Sequence, residues 1–142
     1  MTRNRIFLPA ILLLATACGQ GDADMATMDH GAMAAAIDTV GLRAKPVPAE
    51  HAAGKERFDA SCAMCHGEAA LGTAQGPPLI HMYYEQSHHA DMAFMSAIGR
   101  GVPQHHWNFG DMPPVPGLGP ADVDQIVGYV RWLQREAGVY GS

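Results

Sequence analysis

Apolar positions recur at helical spacing in three stretches of the chain and alternate like a strand in none. The clearest stripe lies near the C-terminus, where Val123, Ile126, Val127, Val130 and Leu133 follow the pattern of an amphipathic helix. Pro120 suits its first turn, Asp122 and Asp124 stand near its positive end, and Arg131 and Arg135 near its negative end, complementing the helix dipole. Asp91 to Ile98 sets Phe94, Met95 and Ile98 at helical spacing, with Asp91 suited to the start and Gly99 and Gly101 to the exit. The third stretch begins near Glu50 and puts Ala53, Phe58 and Cys62 near one face. Glycines and prolines from Gly67 to Pro78 then end that helix at the segment Cys62-Ala63-Met64-Cys65-His66. No repeat is visible, and glycine and proline concentrate between residues 67 and 120, so the expected domain is all-α with long loops.

The N-terminus has a different character. Arg3 and Arg5 precede an apolar run from Ile6 to Ala17, and small residues lead to Cys18, the pattern of a cleaved signal peptide spanning residues 1–17. That run is too short to cross a bilayer as a helix, which takes about 20 residues. Ala15-Thr16-Ala17-Cys18 resembles the lipobox of bacterial lipoproteins, with Ala15 where leucine is preferred, and it makes Cys18 a lipidation site. An ordinary cleaved signal with a leftover thiol is the alternative. Gly19 is not an inner-membrane retention aspartate, so the outer membrane on the periplasmic side is the favoured address. Residues 18–48, rich in Gly, Ala, Asp and Met with Pro46 and Pro48, read as a flexible tether, and residues 49–142 as one domain.

Charge narrows the partners. Removing residues 1–17 takes away two of nine basic residues and none of fourteen acidic ones, leaving a formal charge of −7. Nucleic acid is thereby disfavoured. No nucleophile elbow, phosphate loop or paired-carboxylate arrangement appears, and Gly117-Leu118-Gly119 lacks a third glycine at dinucleotide spacing. The expectation is a protein that is not an enzyme.

Candidate chemistry centres on C-x-x-C-H at Cys62, Cys65 and His66, the pattern of c-type haem attachment, in which two thiols add to the vinyl groups and the histidine binds iron. A redox-active disulfide would need a βαβ setting, and structural zinc a second ligand pair; neither is evident. A sixth iron ligand in such proteins is often a thioether. Met112, in Gly110-Asp111-Met112-Pro113-Pro114, sits in a loop stiffened by two prolines just before the terminal helix. Met64 is excluded by its place between the two cysteines.

Four pieces, in order, resemble a monohaem class I cytochrome c over roughly residues 50 to 138. Gly54 and Phe58 resemble an N-terminal helix whose glycine lets the C-terminal helix cross closely, with Tyr129 matching the aromatic on that partner. Cys62-Ala63-Met64-Cys65-His66-Gly67 matches the attachment motif. Gly76-Pro77-Pro78-Leu79 is similar to G-P-x-L, whose proline carbonyl accepts a hydrogen bond from the ligating imidazole. Met112 before Gly128-Tyr129-Val130-Arg131-Trp132-Leu133-Gln134 matches the distal methionine and the closing helix. The resemblance implies N- and C-terminal helices crossing around one covalent haem c, held by Cys62 and Cys65, with His66 and Met112 on iron and Pro77 orienting His66. It implies electron transfer between redox partner proteins, and the acidic surface suits a partner with a basic docking patch.

Other residues leave alternatives open. His81, His88, His89, His105, His106, Met82, Met92 and Met95 are further conceivable axial ligands. The doublets His88-His89 and His105-His106 could bind a second metal, yet neighbouring side chains point apart on most backbones, so solvated loop histidines are expected. Trp107 and Arg100 could donate to haem propionates. Met25, Met28, His30 and Met33 in the tether resemble copper-handling stretches, with an incidental linker as the alternative. A haem enzyme or sensor, or a copper-handling protein, are the competing functions.

Overall fold

The computed structural model describes residues 38–139. The signal segment, Cys18 and tether residues 18–37 lie outside the described residues. In order, the helices are α1 (Thr39–Ala44), α2 (Ala49–Ser61), α3 (Ala63–His66), α4 (Asp91–Arg100) and α5 (Pro120–Glu136), with short 3-10 turns at Glu68–Ala70 and Met82–Tyr84. Among the described residues there is no strand, only an antiparallel bridge between Val102 and Met112. No helix among them is long and apolar enough to cross a membrane. The all-α expectation holds.

The domain is organised by the crossing of α2 and α5. A methyl group on Gly54 would lie 2.1 Å from the Gln125 carbonyl oxygen and 2.9 Å from Tyr129 Cβ, so the two backbones approach closer than any side chain permits. One turn further along α2, Phe58 is fully buried and meets Tyr129 edge to face at 5.6 Å. Val123, Ile126, Val127, Val130 and Leu133 are all buried, as their spacing predicts. α4 extends two residues beyond Ile98 to include Gly99, and Gly101, at φ +75°, forms its cap.

Burial on α5 goes beyond the apolar stripe, taking in Arg131 and Gln134 as well. Arg131 therefore does more than complement the helix dipole. Its Nε donates to Asp91 Oδ1 at 2.7 Å, and its Nη1 to the Tyr84 carbonyl at 2.6 Å and to Gln134 Oε1 at 2.8 Å. Nη2 donates to the His89 carbonyl, and the guanidinium lies 4.8 Å from the Phe94 ring centroid. Gln134 Nε2 donates to the Leu79 carbonyl at 2.7 Å and to the Tyr84 carbonyl at 3.2 Å. The loop between the 3-10 turn at Met82–Tyr84 and α4 is thus hung from α5 by its carbonyls. Buried charge is tolerable here because the guanidinium finds matched acceptors.

The end of the expected tether is structured. Asp38 caps α1 by accepting the Gly41 N–H at 2.8 Å, Leu42 is buried, and Val47 packs against the core. Residues 38–48 therefore belong with the domain. A six-residue helix holding one buried leucine leaves no periodic signal to read.

Two outcomes follow from these contacts. Gly54→Ala forces the crossing apart and should cost about 1–3 kcal/mol, read as a lower denaturant midpoint at unchanged slope. At the start of α5, Asp122 accepts from Arg57 Nε at 2.6 Å and from the Gly119 N–H at 3.0 Å. The Arg57 hydrogen bond, then the Gly119 N–H, hold its carboxyl below the usual value of 3.8. Because the folded pKa is the lower one, the stabilisation is complete above the unfolded value and disappears as pH falls through the folded pKa. Asp122→Asn should lower Tm at neutral pH, with the gap to wild type closing below about pH 4 in thermal unfolding.

Candidate functional site

Cys62 caps α2, and the chain continues directly into the single turn of α3. The Cys65 and His66 amides both donate to the Cys62 carbonyl, at 3.1 and 2.9 Å, so the two thiols and the imidazole issue from one tightened turn. The Thr73 hydroxyl donates to the Cys65 carbonyl at 2.6 Å and accepts the Gln75 N–H at 2.9 Å, tying the following loop to that turn. Sequence reasoning missed Thr73, since a threonine in a glycine-rich loop carries no distinguishing signal.

His66 Nδ1 lies 2.9 Å from the Pro77 carbonyl oxygen. A carbonyl only accepts, so Nδ1 carries the proton and Nε2 keeps its lone pair. Burial lowers the His66 pKa, with the Pro77 hydrogen bond acting in the opposite direction. The ring is thereby held neutral and aimed, the condition an imidazole needs to bind a metal. Burial, then the neighbouring Cys65 charge, push the Cys62 thiol up to about 11, so it is protonated at neutral pH. Both cysteines are free of disulfide.

Cys62, His66, Pro77 and Met112 line one cavity of about 420 Å³, walled largely by apolar side chains including Phe58, Leu79, Ile98, Ile126 and Val130. Cys65 is not among its lining residues; it is half-buried on the same turn as Cys62. Met112 reaches the cavity from a clamped backbone. Its N–H and carbonyl both pair with Val102, each at 2.9 Å, and a Cβ on Gly101 would lie 2.5 Å from the Met112 oxygen. Glycine at φ +75° is what permits this approach.

The other ligand candidates separate clearly. Of the methionines among the described residues, only Met112 lines the cavity; Met82 and Met92 are exposed and Met95 packs against the core. His89, His105 and His106 line it, whereas buried His81 and exposed His88 do not. Trp107 is a lining residue. Arg100 is exposed, donates to Ser96 on its own helix and does not reach the cavity, so it is poorly placed for a propionate.

One expectation is overturned. The histidine doublets do not simply diverge into solvent: one ligand nitrogen each from His88, His89 and His106 lie within 4.8 Å of one another. Neighbours within each doublet stay close, with ring centroids 4.7 Å apart for His88 and His89 and 4.4 Å apart for His105 and His106, and the two loops face each other, bringing members of both doublets together. Burial, and repulsion among these histidines, lower the pKa of His89 and His106.

Residues 51–134 match the family described as Cytochrome c. No curated protein and no solved structure gives a significant match. The chain belongs to the cytochrome c family, as a class I member. Proteins of this family bind haem c covalently and use it for electron transfer, and they are typically carriers rather than enzymes. The residues present fit that group. A cofactor-sized apolar cavity is lined by a thiol, a neutral imidazole with a free Nε2, and a thioether, with the second thiol on the same turn.

Covalent attachment is directly checkable. Haem should stay with the wild-type polypeptide through acidified-solvent extraction, and the Cys62→Ser/Cys65→Ser double variant should release it, read as absorbance of the extract.

Proposed function

We propose that this protein is a single-electron carrier on the periplasmic side of a bacterial cell envelope, with one haem c attached through Cys62 and Cys65 and axially ligated by His66 and Met112. The observation that carries this reading is that Met112, alone of the described methionines, lines the cavity that His66 lines, on a backbone clamped to Val102. When bound, the haem supplies a one-electron couple at its iron. His66 would take one axial position in the orientation set by Pro77, and Met112 the other, so that no position stays open for a substrate. A thioether there favours a higher reduction potential than a second imidazole. The surrounding apolar walls act in the same direction, because a low-polarity shell disfavours the more charged oxidised state.

Lipid on Cys18 would hold the protein at the membrane, with the outer membrane favoured by Gly19. The formal mature charge of −7 supports redox partners that present a basic docking patch, with encounter rates that fall as salt rises. A second reading rests on His89, His105 and His106, which also line the cavity: one of these imidazoles could take the sixth position in place of Met112.

Optical spectra and potentiometry of the matured protein and of Met112→Ala separate the two. The expected wild type is low-spin with a methionine-to-iron charge-transfer band in the far red. Met112→Ala should lose the band and drop in potential by a sizeable part of the roughly 0.8 V range that axial ligands command. A wild type without the band, or a variant with an unchanged spectrum and potential, would sink the methionine assignment.

A further inference from the structure

Three imidazoles from two separate loops converge beside the cavity. His88 and His89 close the turn after the 3-10 segment Met82–Tyr84, where both amides donate to the Glu85 carbonyl, at 3.1 and 2.7 Å. His106 arrives from the excursion between Val102 and Met112, its ring stacked on Tyr83 at 4.6 Å. Ring centroids of His88 and His89 lie 4.7 Å apart, and both stand 5.4 Å from that of His106. His88 Nε2 and His106 Nε2 are 3.4 Å apart.

That last distance has a specific chemical meaning. Two nitrogens bound at about 2.0–2.1 Å to a tetrahedral ion stand roughly 3.3–3.4 Å from each other. A pair of imidazoles at 3.4 Å is therefore already at ligand spacing. His89 is prepared in the manner of a metal-binding histidine: its Nδ1 donates to the Tyr83 carbonyl, which fixes the tautomer and leaves Nε2 to ligate. The Arg131 guanidinium holds the His89 carbonyl from beneath, so the ligand loop is anchored to buried α5.

We propose that His88, His89 and His106 form a binding site for a divalent late first-row transition ion, of Zn²⁺ or Cu²⁺ chemistry, at the rim of the cavity. The donor set is three neutral imidazoles, which suits these ions and not Mg²⁺ or Ca²⁺, whose preference is for oxygen. Exposed His88 leaves the solvent side open, so water completes the coordination. His89 and His106 also line the cavity. On the reading that this cavity holds the haem, a dication bound there disfavours the extra positive charge of the oxidised iron and raises its potential.

The test uses the full-length, untagged, haem-loaded protein and isothermal titration with Zn²⁺ and Cu²⁺, with Mg²⁺ as control. His88 is exposed and does not line the cavity, so His88→Ala should leave the haem spectrum unchanged while weakening Zn²⁺ and Cu²⁺ binding at least about tenfold. His106→Gln should weaken it similarly. No binding of either ion by wild type, or binding by His88→Ala and His106→Gln as tight as that of wild type, would overturn the site. Potentiometry on the same samples tests the coupling: Zn²⁺ should raise the wild-type haem potential and leave His88→Ala unmoved. Equal potentials with and without saturating Zn²⁺ would overturn the coupling, and a failure of haem binding itself would show separately in the absorption spectrum.

Discussion

The approach of α2 to α5 at Gly54 sets the position of nearly everything else. Once a glycine lets the Gln125 carbonyl oxygen come to 2.1 Å from where a methyl carbon would sit, far inside van der Waals contact, α5 is fixed in height and rotation against α2. That rotation turns Tyr129 onto Phe58 and presents Arg131 and Gln134 to the loop that follows Leu79. Those two side chains then hold the carbonyls of Leu79, Tyr84 and His89. α2, for its part, delivers Cys62 and His66 from its C-terminal end. One close backbone contact thus coordinates two cavity walls that lie far apart along the chain.

Legibility in the sequence followed the locality of each interaction. The α5 stripe repeats within a few residues and could be read directly, as could Pro120 and Asp122 at its start. α2 buries only Gly54 and Phe58, and a glycine has no hydrophobic signature, so its core face was visible mainly through family resemblance. α1 rests on a single buried leucine and was absorbed into the tether. Arg131 read only as a complement to the helix dipole because the Asp91 carboxylate and the Tyr84 and His89 carbonyls it binds lie forty or more residues away, which composition and periodicity do not encode.

The same rule divides the site. Cys62, Cys65 and His66 form one turn, so their spacing alone specifies their geometry. Pro77 lies eleven residues from His66, and its carbonyl meets the imidazole nitrogen as the G-P-x-L resemblance implies. The histidine cluster was illegible because it depends on how two loops face one another, with His88 and His106 separated by eighteen positions. A doublet gives two possible donors; only the tertiary arrangement decides which of them meet.

The bridge between Val102 and Met112 closes residues 103–111 into an excursion with both ends fixed. Closing a longer excursion costs only about 0.6 kcal/mol per doubling of its length. Met112 is therefore insulated from what the chain does between its clamp points, and so is its hold on the cavity. His105, His106 and Trp107 ride on that excursion. Descendants of this chain could lengthen, shorten or rewrite the stretch, gaining or discarding surface chemistry, while inheriting an unaltered methionine.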